Sequence, residues 1–189
     1  PKNFEKKYYS FSKNLKSTQN VDYQFYKTRT TELIENSVKR QTLSDVPIGC
    51  FLSGGIDSSL ITSILSKFKG ANKVNTFTIG FDFAKFDEAP YAKKIANYLG
   101  TNHNELILNK QNITDEMGKI SQAYSEPFAD SSQLPTMLLS KMTSAHVKVA
   151  LSGDGGDETH AGYNRYLFAL KYWPLLKIFP EQLRKRIFN

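Results

Sequence analysis

The sequence has a single cysteine, Cys50, and one thiol excludes a disulfide framework. It has no run of about 18 consecutive apolar residues, so no segment reads as a membrane-spanning helix. No signal-peptide pattern opens it, and a reducing cytoplasm is the compartment that fits. The three histidines, His103, His146 and His160, lack the spacing of a metal-ligand set. G-x-x-x-x-G-K-[ST] occurs nowhere, which excludes the Walker type of phosphate loop. Internal repeats and low-complexity segments are also missing. Acidic residues are outnumbered by basic ones, 18 to 25, for a net charge of +7. Much of that excess lies at the ends, in Lys2, Lys6, Lys7, Lys13 and Lys16 and in Arg184, Lys185 and Arg186. No aromatic-interleaved basic stripe or nucleic-acid motif accompanies it, so nucleic acid is not an expected partner. A solvated basic face that also attracts polyphosphate is the simpler reading.

What is present is one segment of unusual specificity. The apolar run Pro47-Ile48-Gly49-Cys50-Phe51-Leu52 reads as a buried strand that stops abruptly at Ser53-Gly54-Gly55-Ile56-Asp57-Ser58-Ser59. Two glycines permit a tight turn and close approach to a ligand. A helical pattern opens directly afterwards at Leu60. Free N–H groups at a helix N-terminus, with hydroxyls beside them, form an anion cradle. An ordinary strand–turn–helix with a Ser or Asp cap would share this outline. Asp57 stands where a Mg²⁺ ligand would be useful.

The rest of the chain supplies a frame for this loop. A length of 189 residues suits one α/β domain with a full core. A helix is expected over residues 21–40, opened by Asp22. Strands are expected at 48–52, 73–81, 105–108 and 147–151. Helices are expected from the loop to about Phe68, at 88–99 closed by Gly100, at 112–124 capped by Asn112 or Thr114, and at 133–144. From Glu158 onward the chain reads as helical and aromatic, broken by Pro174 and Pro180. Alternating strands and helices imply an α/β fold: a doubly wound parallel sheet of about five strands with flanking helices. Ligands of such sheets lie beyond the carboxyl ends of the strands, at the switch point.

A second loop of the same character, Ser152-Gly153-Asp154-Gly155-Gly156-Asp157-Glu158, follows the last strand. A nucleotide between the two loops would bring Asp57 and Asp157 to one pyrophosphate group. Two carboxylates beside a polyanion require an intervening cation, so the acids imply Mg²⁺. Phe51 and Ile79, at the ends of neighbouring strands, are the expected walls and backbone donors for adenine. Cys50 reads as a buried small hydrophobe.

Ser53 to Ser59 resembles the pyrophosphate loop of the N-type ATP pyrophosphatases. From about Tyr8 to Tyr166 the chain resembles the synthetase domain of glutamine-hydrolysing asparagine synthetases. Four further blocks in order carry that resemblance: Thr76 to Phe81; Phe86-Asp87-Glu88; Glu126 to Ser132 with Pro135-Thr136; and Leu151 to Glu158 with Gly162-Tyr163. The resemblance implies adenylation of the aspartate side-chain carboxylate by ATP, release of pyrophosphate, and attack by ammonia from a glutaminase domain. It implies nucleotide contacts at Phe51, Ser53, Gly54, Gly55, Asp57, Ser58, Ser59, Ile79, Ser152 and Gly153, and metal at Asp57 and Asp157. Asp154, helped by Asp130 and Ser131, is expected to bind the acceptor and place ammonia, and Asp154 and Asp157 are the expected catalytic acids. Residues 1–20 then correspond to a linker from the glutaminase domain, and residues 21–189 to a synthetase domain cut short at its C-terminal end. The start at Pro1 agrees with a piece of a longer chain. A homodimer is compatible with this reading.

The sequence departs from the family at three places. Asp154 stands where Glu is common, Thr159-His160 replaces an apolar-aromatic pair, and the family's later catalytic lysine has no counterpart. The first departure keeps a different acceptor open, such as a sugar uronate or a β-lactam precursor. The third keeps open an ATP-binding fragment without turnover.

Overall fold

A computed structural model describes residues 10, 22–82, 87–126, 129–180 and 182–183. The expected linker over residues 1–20, the two terminal basic clusters, and Phe86, Pro127 and Phe128 of the family blocks therefore lie outside the described residues, Ser10 apart. The chain divides into two compact units, residues 1–37 and 38–189. Helix α1, Tyr23–Gln41, begins in the first. The Tyr26 N–H donates to the Asp22 carbonyl at 3.3 Å, placing the helix start where Asp22 suggested. Of its apolar residues Val38 is buried, while Phe25 and Leu33 stay exposed.

The second unit is built on four parallel strands: β1 Ile48–Phe51, β2 Asn75–Phe81, β3 Asn102–Leu108 and β4 Val149–Leu151. Their order is β3-β2-β1-β4. Among the described residues the sheet has four strands where about five were expected, because the chain after β4 is helical. Cys50 lies opposite Thr76 of β2 and Leu151 of β4, and Phe51 lies opposite Phe77. Cys50, Leu65, Val74 and Phe77 are wholly buried. Burial pushes the Cys50 thiol up to about 11, and the Thr62 hydroxyl beside it offsets this only in part. The thiol therefore stays protonated and inert.

The crossover helices are α2, Ile56–Lys69, and α3, Ala89–Leu99. Gly100, at φ 71, closes α3 in the left-handed conformation that only glycine adopts readily. Strand β3 begins three residues earlier than its apolar pattern suggests. Asn102, His103 and Asn104 pair with Asn75, Thr76 and Phe77, so pairing overrides their low strand preference. The following helix, α4, spans Lys110–Met117, and a short α5 spans Ile120–Ala123. The cap of α4 is Asn109, not Asn112 or Thr114. Asn112 is its reciprocal partner, with the Asn112 N–H donating to Asn109 Oδ1 at 2.8 Å and the Asn109 N–H to Asn112 Oδ1 at 3.2 Å. Helix α6 is Gln133–Ser144. It packs Leu134 and Leu138 with Leu108 of β3. After β4 come α7, Gly156–His160, and α8, Asn164–Leu176. Pro174 does not break α8 at once: it lies inside the helix, near its end at Leu176, and removes one backbone donor there.

His103 is structural. Its Nδ1 lies 2.9 Å from the Thr76 hydroxyl and its Nε2 lies 3.3 Å from Glu105 Oε1, while Glu105 Oε2 pairs with Lys93 at 2.9 Å. Burial holds its pKa below the ordinary 6.5, against the opposing pull of Glu105. A lowered native pKa means the unfolded state binds more protons, so stability rises with pH. The contribution is complete above about pH 6.5 and is lost as pH falls through the native value. Denaturant unfolding at pH 7.5 and 5 should show a loss for the wild type that His103→Gln reduces. An unchanged loss in the variant would assign it to other groups.

Candidate functional site: two loops at the switch point

From β1 the chain passes to β2 and β3 on one side, while β4 lies on the other. The switch point therefore lies between β1 and β4, and each of these strands ends in one of the two glycine-and-acid loops.

The first loop leaves the sheet gradually. The Leu52 N–H still donates to the Phe77 carbonyl at 2.9 Å, and the Thr78 hydroxyl donates to the Leu52 carbonyl. Gly54 then takes φ 87. A β-carbon there would sit 2.8 Å from Tyr91 Cβ and 3.0 Å from the Ala92 nitrogen, so the turn fits only as glycine against α3. The Ser53 N–H donates to Ser58 Oγ at 3.2 Å, the Ser53 and Ser58 hydroxyls are 3.0 Å apart, and the Gly55 N–H donates to Ser53 Oγ at 3.2 Å. The Ser59 hydroxyl donates to the Gly55 carbonyl at 2.5 Å. These hydroxyls tie the loop to itself, and Ser58 is buried. The residue before α2 is Gly55, which offers no side-chain cap. The N–H groups of Ile56, Asp57 and Ser58 have no acceptor within the helix, and this end carries the positive pole of its dipole.

The second loop packs directly on that helix end. A β-carbon on Gly153 would sit 2.7 Å from the Ser58 nitrogen and 2.9 Å from the Asp57 carbonyl carbon. One on Gly156 would sit 2.5 Å from Asp57 Cγ. Asp57 thus lies against the backbone of the residue preceding Asp157. Gly54, Gly153 and Gly156 each lie against neighbouring backbone or side chains. Gly55 meets only Ser53 Oγ, and Gly155 meets nothing within 4 Å. Asp154 accepts from the Ser152 hydroxyl at 3.0 Å and so turns back on its own loop.

Other expectations change in detail. Phe51 is half-buried at the end of β1, and the partly buried Ile79 packs its side chain into the cluster of Leu108, Leu134 and Leu138. Asp130 accepts the Ser132 N–H at 2.7 Å, a bond that holds its carboxyl below the usual carboxylate range. It shapes the entry to α6. Asp87, in another family block, accepts N–H groups of Phe81 and Ala89 at 3.2 and 3.1 Å, joining the end of β2 to the start of α3.

Sequence reasoning passed over one cluster beside the second loop. The Tyr163 hydroxyl donates to Glu158 Oε1 at 2.5 Å. That bond pushes the phenol up to about 12 and draws the Glu158 carboxyl down. Arg165 lies 4.1 Å over the Tyr163 ring. Gly162-Tyr163 was visible only as a motif fragment, without a partner for the phenol.

Volume alone does not mark the site. A groove of about 350 Å³ lies between β3, α4 and α6, lined by Leu106, Leu108, Leu138, Met142, Glu116 and Lys141 among others. It lacks what the loops offer together: a helix N-terminus whose acid, Asp57, lies against the backbone of the second loop. Among the described residues no group of three or more His, Cys, Asp or Glu side chains is placed to hold a metal.

The sequence profile of the asparagine synthase family matches residues 29–189. The chain belongs to the asparagine synthase family. It is 42% identical over 136 residues to a putative glutamine-hydrolysing asparagine synthetase 2 of Methanocaldococcus jannaschii, covering 72% of this chain and 26% of that protein. It is 36% identical over 179 residues to glutamine-hydrolysing asparagine synthetase 1 of Bacillus subtilis, covering 95% of this chain and 28% of the other. The family member described here thus spans little more than a quarter of those relatives. Among solved structures, a glutamine-dependent NAD⁺ synthetase of Acinetobacter baumannii in complex with ADP matches at 19% identity and a TM-score of 0.49, over 79% of this chain and 29% of that one. Likeness at that level says nothing of what this asparagine synthase family chain binds. No helix among its described residues is long and apolar enough to cross a membrane.

Proposed function

We propose that the two loops hold Mg·ATP and that the whole protein adenylates the aspartate side-chain carboxylate, releases pyrophosphate and passes glutamine-derived ammonia to the acyl adenylate. The observation that carries this reading is the direct packing of Gly153 and Gly156 on Asp57. It joins an anion-binding helix end to a second acidic loop at the switch point of a parallel sheet.

The donor set fits the metal. Mg²⁺ is usually held by one or two carboxylates with phosphate oxygens and waters completing its shell, rather than by an all-protein cage. Asp57 and Asp157 on adjoining loops match that demand. When bound, the metal would neutralise charge on the departing pyrophosphate. This chain's own part is electrostatic and positional: the N–H groups of Ile56 to Ser58 face the polyphosphate, and the loop hydroxyls keep that turn rigid. Asp154 is the proposed contact to the acceptor. Phe51, Ser152 and Gly153, with backbone at Ile79, are the proposed neighbours of the nucleoside and α-phosphate. Residues 21–189 form the synthetase part in this reading, and the cytoplasm is its proposed compartment.

The products test the reaction class. The full-length enzyme with ATP, Mg²⁺, aspartate and glutamine should yield AMP and pyrophosphate in equal amounts with asparagine. ADP and phosphate would place the attack at the γ-phosphorus and remove the reading.

A further inference from the structure

Helix α7 has five residues, too few to fix its own direction. Yet it carries Asp157, and its far end is closed by Ala161 at φ 56, a left-handed conformation that a β-carbon disfavours. Something outside the helix must hold this turn. The Gly162 N–H donates to the Asp157 carbonyl at 3.0 Å. The Asp157 carboxylate lies against the same glycine, with Oδ1 where a β-carbon would stand. Where Gly162 goes, the acid follows. The next residue is Tyr163, whose hydroxyl returns to Glu158 at 2.5 Å and closes a ring from residue 158 to residue 163. Its ring is held from outside by Arg165 at 4.1 Å and by Tyr166 at 5.8 Å between centroids.

We propose that Tyr163 is the positioning residue for Asp157: its hydrogen bond to Glu158 fixes Gly162, and Gly162 fixes the Asp157 carboxylate packed against it. This rests on the reading that Asp157 serves the nucleotide's metal, and it adds how that acid is kept in place. The cluster is exposed, where polar pairs contribute little to folding. Its effect is therefore on placement more than on stability.

Tyr163→Phe in the full chain keeps the ring, its neighbour Tyr166 and the Arg165 contact, and removes only the donor. Two measurements decide the outcome. Without ligand, amide exchange at Gly162 should quicken about fivefold, the loss of one modest hydrogen bond. With ligand, the Mg²⁺ concentration needed for half-maximal ATP binding should rise about fivefold, while ATP binding in EDTA stays unchanged. Glu158→Ala should copy both effects. Glu158→Gln, which keeps an acceptor oxygen for the phenol, should restore most of each. Unchanged Gly162 exchange in Tyr163→Phe overturns the proposal, as does an equal loss of ATP binding with and without Mg²⁺. A wild-type chain that binds no Mg·ATP overturns the nucleotide reading instead, and the exchange result then decides alone whether Tyr163 holds the acid.

Discussion

Replacing Gly153 by alanine should destabilise the second unit by about 2–3 kcal/mol, the upper part of the range for forcing atoms into a packed site. The new methyl would meet backbone, the Ser58 nitrogen at 2.7 Å and the Asp57 carbonyl carbon at 2.9 Å, and neither can rotate away. Either the second loop lifts off α2 or the first turn of α2 is pushed out, and both outcomes open the site. A lowered melting temperature, by roughly 5–10 °C, should accompany the loss. Gly118→Ala is the control. That residue sits at φ −63 with nothing within 4 Å of an added methyl. It should be neutral or stabilise by roughly 0.4–1 kcal/mol. Equal melting temperatures for the Gly153 and Gly118 variants would mean the loops are not in contact.

Gly156→Ala should behave differently although its methyl is closer still. Its nearest neighbour is the Asp57 carboxylate, at 2.5 Å to Cγ, and a side chain can swing aside where backbone cannot. The fold should persist with modest loss, and Asp57 should leave its place. Calorimetric titration should then show Mg·ATP affinity reduced at least about tenfold, roughly 1.4 kcal/mol. Asp57→Ala should do the same. Because both changes remove one interaction, the double variant should lose little more than either alone. Fully additive losses would show that Gly156 and Asp57 act separately.

The parts legible in the sequence were those fixed by local chemistry. Ile48 to Leu52 had to be a strand because an apolar run of that length ends in two glycines, and Gly100 had to close α3 because its position needs a left-handed residue. What escaped was set by partners distant in sequence. Asn102 to Asn104 look like loop and become strand only because β2 lies alongside. Ile79 lies two residues before the end of β2, and its side chain packs against residues of α6 and β3. The glycines read as close-approach positions, and the protein neighbours that approach them were not legible. Gly153 and Gly156 face Asp57, a neighbour 96 and 99 positions earlier in the chain. The hydroxyls of Ser53 and Ser58 were counted as donors to a ligand, yet they bond each other, which no spacing rule reveals.

The most direct test of one nucleotide site across both loops is a titration of the isotopically labelled chain with Mg·ATP, read at the backbone amides. The account predicts saturable shifts centred on Gly55 to Ser58 and on Gly153 to Asp157, lost in Asp57→Ala. Shifts confined to the groove of Leu106, Leu138 and Lys141, or no saturable shift at the two loops, would contradict it.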